Sequence, residues 1–283
     1  MSNTGRLLTL EEVAALPRAT FENACRGVVS PLWLGSGAAL CRIIARYKLY
    51  VSTDDDGFSG NVLLDGYWES WLTQFMARTV RRGDCVVDVG ANYGYYSLLL
   101  ADLVGPNGRL YAIEPNPGVA ELLRRSVLLN GFAGRTQIHE TAAGAGAGAA
   151  TLVVPTREPK NGTIVGAGLG PPAGTQGYQV KVAALDDILD AEQRIDFLKI
   201  DAEGAEEQII DGMARILDRQ RPAMVLEFNT ARYADPAAFL ERLLRIYGGL
   251  RHVDYDGTAA LVSPERVLTE HPGEDWLLYL GGR

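Results

Sequence analysis

Short apolar runs recur along the chain from residue 85 onward, and stretches with helical spacing separate them. Each run is rich in β-branched or aliphatic residues and ends in a polar residue, which is typical of strands buried on both faces of a parallel sheet. The predicted strands are CVVDVG (85–90), RLYAIE (109–114), TQIHET (136–141), DFLKID (196–201) and AMVLEF (223–228).

Apolar residues at helical spacing predict a helix after most of these strands. The predicted helices cover 95–104, 119–129, 205–217 and 236–247. Because strands and helices alternate, we predict an α/β fold with a doubly wound sheet. Two later runs, at 251–255 and 276–281, are expected to pair as antiparallel edge strands.

Two segments do not follow this alternation of strands and helices. Residues 1–80 show a helical pattern at 10–16 and 67–78 and a strand-like pattern at 47–52. We therefore predict an N-terminal extension, 1–80, that forms a cap or a substrate-side cover, and a ligand-binding domain over 81–283. The Gly- and Pro-rich stretch 143–179 contains one predicted strand at 150–155. Its remainder, 156–179, is expected to be a surface loop, with a lid over the site as the alternative.

Composition and charge exclude several classes of protein. The 35 acidic and 27 basic residues give a net charge of −8, which argues against a nucleic-acid partner because such a partner requires cations to neutralise its phosphates. The 3 cysteines and 3 histidines are too few for a disulfide framework or a His-rich metal site. We expect a cytoplasmic protein, since no signal-peptide pattern precedes residue 30. Pro31 and Arg42 interrupt the apolar stretch 28–45, so no stable membrane insertion is expected.

The sharpest candidate for a ligand site is the stretch VVDVGANYGYYS, in which a strand runs through a glycine-containing turn into a helix. Such a turn lies at the carboxyl end of a strand, where open α/β sheets bind ligands beside exposed N–H groups of the helix. Its glycines are expected to let a ligand approach the backbone. The predicted ligand-binding residues here are Asp88, Gly90, Ala91, Asn92, Tyr93, Gly94 and Ser97.

A dinucleotide fold is the obvious alternative. Its fingerprint is G-x-G-x-x-G, whereas this chain has G-x-x-x-G with Asn92 in place of the second glycine. A side chain there crowds a diphosphate, and Asp88 repels one. Both features suit S-adenosylmethionine, which carries an ammonium and a sulfonium and has no phosphate.

The second candidate motif is AIEPNP, at the end of the second predicted strand. An acidic residue at this place can accept hydrogen bonds from both ribose hydroxyls. Glu114 is that residue, and Pro115 and Asn116 follow it on the same rim. Nicotinamide enzymes share this feature, so it indicates S-adenosylmethionine only in combination with the preceding turn.

Together these segments resemble the FkbM-type family of S-adenosylmethionine-dependent methyltransferases. The resemblance rests on DVGANYGYYS, AIEPNP, the Asn130-Gly131 pair, DFLKIDAEGAEEQIIDG and VLEFN, and it covers about residues 85–230. It implies a class I methyltransferase fold, a Rossmann-like sheet of seven strands with the last one antiparallel. It also implies O-methylation of a hydroxyl on a small molecule, a sugar or a polyketide.

The resemblance adds further cofactor contacts. A residue that follows an aromatic side chain before the core, here Glu69, is expected to bind the amino group of the methionine moiety. Ala142 lies where such folds touch adenine through the backbone, and Asn130 belongs to a motif that carries the resemblance. We include all three among the predicted cofactor-binding residues.

The motif KIDAEGAEE places acids at the end of the fourth strand. Asp201 and Glu203 are candidates for the general base that accepts the proton of an acceptor hydroxyl, and Asp201 also joins the predicted cofactor contacts. Lys199 is a candidate to stabilise a developing alkoxide, with pairing to an acid as the alternative. Glu206 is either a third active-site acid or a group at the start of a helix.

Glu227, in LEFN at the end of the fifth strand, lies on the same rim as Asp201. Carboxylate oxygens are the ligands that Mg²⁺ prefers, so these two acids are candidate metal ligands, although we do not expect a divalent cation to be required. The leading hypothesis is an O-methyltransferase. The alternatives are a dinucleotide-dependent oxidoreductase and a non-catalytic protein that binds the cofactor. The sequence leaves the acceptor and the oligomeric state open.

Overall fold

The fold is built around one mixed sheet. The computed structural model describes residues 5–157, 162–165 and 171–282. Its main sheet has 8 strands in the order β14-β13-β15-β12-β11-β4-β5-β6. The strands are β4 (Cys85–Val89), β5 (Arg109–Ile113), β6 (Thr136–His139), β11 (Phe197–Ile200), β12 (Ala223–Phe228), β13 (Leu250–Val253), β14 (Ala259–Leu261) and β15 (Trp276–Leu280).

Five of these strands are parallel and confirm the predicted doubly wound core. β4 pairs in parallel with β5 and with β11, and the neighbouring pairs β5–β6 and β11–β12 are also parallel. Next to β12, β15 runs antiparallel, which gives the class I methyltransferase arrangement. The chain therefore builds one half of the sheet from β4 outward and then returns to build the other half from β11.

The C-terminal part of the sheet differs in detail from the prediction. β13 and β15 pair antiparallel as expected, but they lie inside the sheet and not at its edge. The short strand β14 adds to β13 and forms the edge, so the sheet has one strand more than the seven expected. A run of three residues with exposed side chains carries no period-2 pattern from which a strand could be recognised.

Helices cover both faces of the sheet. The helices of this part of the chain are α5 (Tyr95–Val104), α6 (Pro117–Leu129), α7 (Leu185–Ile188), α8 (Glu206–Asp211), α9 (Ala214–Arg219), α10 (Pro236–Tyr247) and α11 (Pro264–Thr269). Alternate residues of one strand enter different cores: Val86 packs in the cluster that includes α5, and Val87 packs in the cluster that includes α8 and α10.

The helix predicted over 205–217 is in fact two short helices. They meet at Gly212, where a β-carbon would lie 2.0 Å from the carbonyl oxygen of Gly144. The carbonyl of Gly212 also accepts a hydrogen bond from the backbone N–H of Asp186. The prediction of one continuous helix was wrong because two distant segments approach the backbone at this point.

The N-terminal extension is mixed in structure. It contains α1 (Leu10–Ala15), α2 (Arg18–Arg26), β1 (Leu32–Gly35), β2 (Ala38–Ile43), β3 (Tyr47–Ser52), α3 (Phe58–Asp65) and α4 (Ser70–Thr79). The 3 strands form a separate antiparallel sheet. Its buried residues share one hydrophobic cluster with α5, so the extension packs on the same face of the main sheet as that helix. The division of the chain at residue 80 stays a prediction.

A small third sheet occupies the Gly-rich region. It consists of β7 (Ala142–Ala143), β8 (Gly148–Pro155), β9 (Thr163–Val165) and β10 (Thr175–Ala183), in the order β7-β10-β8-β9. The surface loop expected at 156–179 is therefore partly strand. β10 pairs with β8 over a long antiparallel stretch. The turn residues of this segment interrupt its periodicity, so the sequence does not predict this pairing. The rest of that predicted loop, 158–161 and 166–170, lies outside the described residues.

Candidate active site

A cavity of about 970 Å³ opens at the carboxyl ends of β4 and β11, where the sheet changes its direction of growth. Ligands in open α/β sheets bind at such a point. Of the residues predicted from the sequence, those that line the cavity are Glu69, Gly90, Ala91, Asn92, Glu114, Pro115, Asn116, Ala142, Lys199, Asp201, Glu203 and Glu227. The predicted contacts that do not line it are Asp88, Tyr93, Gly94, Ser97 and Asn130.

The glycines of the turn are needed for contacts within the protein. Gly90 has a φ of +72°, and a β-carbon there would lie 1.8 Å from the carbonyl oxygen of Asp201. At Gly94, with a φ of +100°, a β-carbon would lie 2.5 Å from the Leu123 side chain on α6. The close neighbours of these positions are the chain's own atoms, and the approach of a ligand to the glycine backbone stays a prediction.

Asp88 lies beneath the cavity and is fully buried. Its Oδ2 accepts a hydrogen bond of 2.6 Å from Ser97 Oγ, and its Oδ1 is 3.7 Å from Lys199 Nζ. Burial raises the pKa of Asp88, and Lys199 and Ser97 offset part of that effect. The Asp88 and Ser97 side chains bond to each other at the base of the site, and their contact with the cofactor stays a prediction.

Tyr93 also supports the site from outside. Its ring is fully buried and stacks against Phe58, with 5.8 Å between the ring centroids. Phe58 in turn lines the cavity. The Tyr93 side chain thus packs behind a cavity-lining ring, and its contact with the cofactor stays a prediction.

Glu114 occupies the end of β5 and is nearly fully buried. Its Oε2 accepts the backbone N–H of Asn92 and its Oε1 accepts that of Asn116, both at 2.9 Å. These bonds fix the carboxylate in one orientation beside the turn that follows β4. Burial raises the pKa of Glu114 to about 7, although the two N–H groups lower it.

Asp201 and Lys199 form an ion pair at the end of β11. Lys199 Nζ lies 3.1 Å from Asp201 Oδ2 and donates to the carbonyl of Gly90 at 3.3 Å. Burial lowers the pKa of Lys199, but Asp201 and Asp88 raise it more, so the ammonium stays charged. Of the two alternatives for Lys199, the structure therefore favours pairing with acids. Asp201 keeps about a third of its side chain exposed, on the cavity side.

A second ionic group lies beside this pair and was missed by sequence reasoning. The guanidinium of Arg232 pairs with Glu203 at 2.8 Å, with Asp275 at 3.2 Å and with Glu227. Burial, the largest cause, raises the pKa of Glu227 to about 10. All four residues line the cavity. No sequence signal marks Arg232 or Asp275, because they come from the loop after β12 and from the segment before β15.

Glu206 lies away from the cavity and is fully buried. Its carboxylate accepts the backbone N–H groups of Ala202 and Gly204 and the hydroxyl of Tyr233. These bonds hold the loop that carries Glu203, whose φ is +53°. Of the two alternatives for Glu206, the structure supports the one in which it stabilises the backbone before α8.

Glu69 and Tyr96 line another part of the cavity and are hydrogen-bonded to each other. Tyr96 donates its hydroxyl to Glu69 Oε2 at 2.5 Å, and Lys199 Nζ lies 5.4 Å from the centre of the Tyr96 ring. Glu69 has a φ of +36° and directly precedes α4, so the helix begins later than the predicted residue 67. The sequence does not identify Tyr96 as a site residue, because the pattern of a buried helix predicts that its tyrosines belong to the hydrophobic core.

Asn130 has a structural role at the back of α6. Its Oδ1 accepts the backbone N–H of Lys48, and its Nδ2 donates to the carbonyls of Lys48 and Ser126. Asn130 does not line the cavity and its amide bonds to β3 and α6, so its contact with the cofactor stays a prediction. Ala142, in contrast, lies at the cavity wall as part of β7.

Comparison with known proteins shows the family of this chain. The profile of the Methyltransferase FkbM domain matches residues 88–256, which is more than half of the chain. The chain belongs to the FkbM methyltransferase family. In this FkbM protein the matched range includes the turn after β4, Glu114, the acidic loop after β11 and Arg232.

Shorter matches connect the FkbM chain to curated methyltransferases. The protein-L-isoaspartate O-methyltransferase of Aeropyrum pernix is 46% identical over 56 residues, which are 20% of this chain and 22% of that protein. The demethylmenaquinone methyltransferase of Symbiobacterium thermophilum is 37% identical over 67 residues, 23% of this chain and 27% of that protein. The chain thus spans about a quarter of the length of these curated relatives.

Among solved structures, the methyltransferase FkbM from Methylobacillus flagellatus KT is 20% identical. The similarity covers 80% of this chain and 55% of that one, with a TM-score of 0.44. In the part of the FkbM chain that the structure describes, every helix is too short or too polar to cross a bilayer.

Proposed function

We propose that this protein is an S-adenosylmethionine-dependent O-methyltransferase that acts on a hydroxyl of a small-molecule, sugar or polyketide-type acceptor. The observation that carries the proposal is a single cavity that joins two different chemical environments. One end holds the fixed carboxylate of Glu114, and the other end holds the acids Asp201 and Glu203. A ribose-bearing cation and a neutral hydroxyl compound would need these two environments.

The donor set of the cavity fits S-adenosylmethionine. Each oxygen of Glu114 accepts one backbone N–H and keeps a second lone pair, which suits a ribose hydroxyl. Near Ala142 the wall is apolar, with Leu152, Ile164 and Val182, and suits a purine ring.

Charge supports the same assignment. On the rim, the carboxylates of Asp201, Glu203, Glu227 and Asp275 outnumber the cations Lys199 and Arg232. The excess persists when Glu227, whose pKa is raised to about 10, carries a proton. Such a rim attracts a sulfonium and an ammonium and repels a pyrophosphate, so it favours this cofactor over a dinucleotide.

When bound, S-adenosylmethionine supplies an electrophilic methyl group. The protein has to hold an acceptor oxygen in line with that group and to remove its proton. Asp201 is the acid best suited to accept the proton, because its side chain is partly exposed in the cavity and Lys199 fixes its orientation. Glu203 is the second candidate, and its pairing with Arg232 makes it less available.

The acceptor end has one aromatic and one ionic wall. Phe58, Trp68, Tyr95 and Tyr96 form the first, and the rim acids with Arg232 form the second. Aromatic faces pack on the apolar faces of sugar rings and of polyketides, and carboxylates accept hydrogen bonds from hydroxyls. Phe58, Trp68 and Glu69 belong to the N-terminal extension, which supports its predicted role as a substrate-side cover.

Calorimetry tests the cofactor. We expect the wild-type protein to bind S-adenosylmethionine and to show no binding of NAD. Glu114→Ala should weaken binding by about 2–3 kcal/mol, because charge-assisted hydrogen bonds to the ribose are lost. Glu121→Ala, an exposed acid on α6, is the matched control and should bind like the wild type. Preference for NAD would refute the proposal.

A screen of hydroxylated acceptors tests turnover. Methyl transfer from labelled S-adenosylmethionine to a sugar or polyketide alcohol, detected by mass, is the expected result. Binding without transfer to any hydroxyl compound would favour the non-catalytic alternative.

A further inference from the structure

We propose that the guanidinium of Arg232 is the resident cation of the acidic rim and takes the place that a divalent metal ion would need. The proposal rests on the proposed function, since it assigns the rim to the acceptor side of that site. Arg232 is thereby a positioning residue that holds two of the rim carboxylates in place.

The carboxylates alone would make a plausible metal site. Asp201, Glu203 and Glu227 each offer one carboxylate oxygen, and the three oxygens lie within 4.8 Å of one another. Hard oxygen ligands of this kind suit Mg²⁺ and Mn²⁺. Carboxylates at such distances repel one another when they are ionised, so the arrangement is favourable only when a cation or a proton compensates for their charge.

Arg232 supplies that cation from within the chain. Its Nη2 lies 2.8 Å from Glu203 and 3.2 Å from Asp275, and its Nη1 pairs with Glu227. Two of the three potential metal ligands are therefore already bound by one guanidinium. The third, Asp201, is paired with Lys199.

The backbone holds Arg232 in this position. Asn229 accepts the N–H of Ala231 on its Oδ1 at 3.0 Å, which starts the short turn Thr230–Arg232. The Nδ2 of the same side chain donates to the carbonyl of Gly273 and to Asp275 Oδ1. Asn229 thus ties the loop after β12 to the segment before β15, and the Arg232 guanidinium lies against Glu203, Glu227 and Asp275.

A divalent ion could enter only by displacing this guanidinium. The Arg232 side chain is 22% exposed, so displacement would leave a largely buried charge without its partners, at a substantial energetic cost. We infer that the wild-type rim does not bind a divalent cation. Its carboxylates stay fixed by Arg232, while Asp201 remains directed to the acceptor.

Removal of the guanidinium should uncover the metal site. Mn²⁺ is titrated into the wild type and into Arg232→Met, and bound ion is measured by electron paramagnetic resonance. We expect the variant to bind Mn²⁺ at least about tenfold more tightly than the wild type. The gain should disappear in the double variant Arg232→Met/Glu203→Gln, which removes one ligand.

Arg242→Met is the matched control, because Arg242 pairs with Asp211 away from the rim. It should leave Mn²⁺ binding unchanged. Equal Mn²⁺ affinity in the wild type and in Arg232→Met would overturn the proposal, and so would a gain that survives Glu203→Gln.

A second measurement does not depend on the folding of the arginine variant. If the wild type itself binds Mn²⁺ and Glu203→Gln abolishes that binding, the rim is a metal site and the proposal is wrong. S-adenosylmethionine binding is measured on the same samples. Its absence would count against the proposed function and would leave the Mn²⁺ result to decide the role of Arg232.

Discussion

The carbonyl oxygen of Asp201 lies 1.8 Å from the position that a β-carbon on Gly90 would occupy. The loops after β4 and β11 are thus in direct backbone contact at the floor of the cavity. Any side chain on Gly90 would push away the loop that carries the candidate base and its neighbour Glu203.

Gly90→Ala is therefore expected to lower the unfolding free energy by more than a Gly→Ala substitution at a position that has a positive φ and no such contact. Gly83→Ala is the matched control, because Gly83 has a similar φ of +85° and open space where the β-carbon would lie. We expect a loss of about 1–2 kcal/mol for Gly83→Ala and about 2 kcal/mol more for Gly90→Ala, measured by urea unfolding. Equal losses would show that the contact with Asp201 relaxes freely.

Glu114 should make stability depend on pH. The pKa of Glu114 in the folded protein, about 7, is above its ordinary value of 4.5. A raised pKa means that the folded state binds the proton more tightly, so its contribution to stability is complete below pH 4.5 and is lost as the pH rises through 7. The loss amounts to about 3 kcal/mol.

Urea unfolding at pH 4.5 and pH 8 checks this expectation. From pH 4.5 to pH 8, the unfolding free energy of the wild type should fall by about 3 kcal/mol relative to that of Glu114→Gln. The exposed substitution Glu121→Gln should show no such change. A constant difference between Glu114→Gln and the wild type would mean that Glu114 is ionised throughout this range.

Asn130→Ala should affect stability without affecting the cofactor. The variant loses two hydrogen bonds that tie the end of α6 to β3 and one to the Ser126 carbonyl within α6. A decrease of about 1–3 kcal/mol in unfolding free energy is expected, because backbone groups of Lys48 lose their partner. Calorimetry should give an unchanged affinity for S-adenosylmethionine. A selective loss of affinity at unchanged stability would restore Asn130 to the cofactor site.

Asp201→Asn should separate binding from transfer. If Asp201 accepts the acceptor's proton, turnover should fall by about 10²–10⁴-fold, the usual effect of removing a general base. The affinity for S-adenosylmethionine should change much less. The comparison is Glu203→Gln, in which a smaller loss is expected because Arg232 already engages that carboxylate. The reverse order of the two effects would assign the base to Glu203.

Local sequence patterns were sufficient for the central strands of the sheet. The predicted strand 223–228 and helices 95–104 and 236–247 have the observed bounds. Short apolar runs buried on both faces are specified by residues close together in the sequence. The ends of parallel strands meet at one rim, so Glu114 and Asp201 could be placed near each other without coordinates.

Other details of the structure are determined by a distant segment of the chain. The helix at 205–217 is broken by the approach of Gly144 to Gly212. Asp88 is directed to Lys199 beneath the cavity, and Asn130 binds the backbone of Lys48. In each case the deciding neighbour lies far away in the sequence, and no local pattern encodes it.

The sequence by itself determined the fold class, the family resemblance and the strand ends that carry acids, because these follow from periodicity and from short motifs. Only the tertiary structure decided what each acid does. It brought Arg232 and Asp275, from separate loops, against Glu203 and Glu227, and it paired Asp201 with Lys199. The charge state and the partner of a carboxylate depend on groups within a few ångströms in space, and those distances are fixed only when the sheet has assembled.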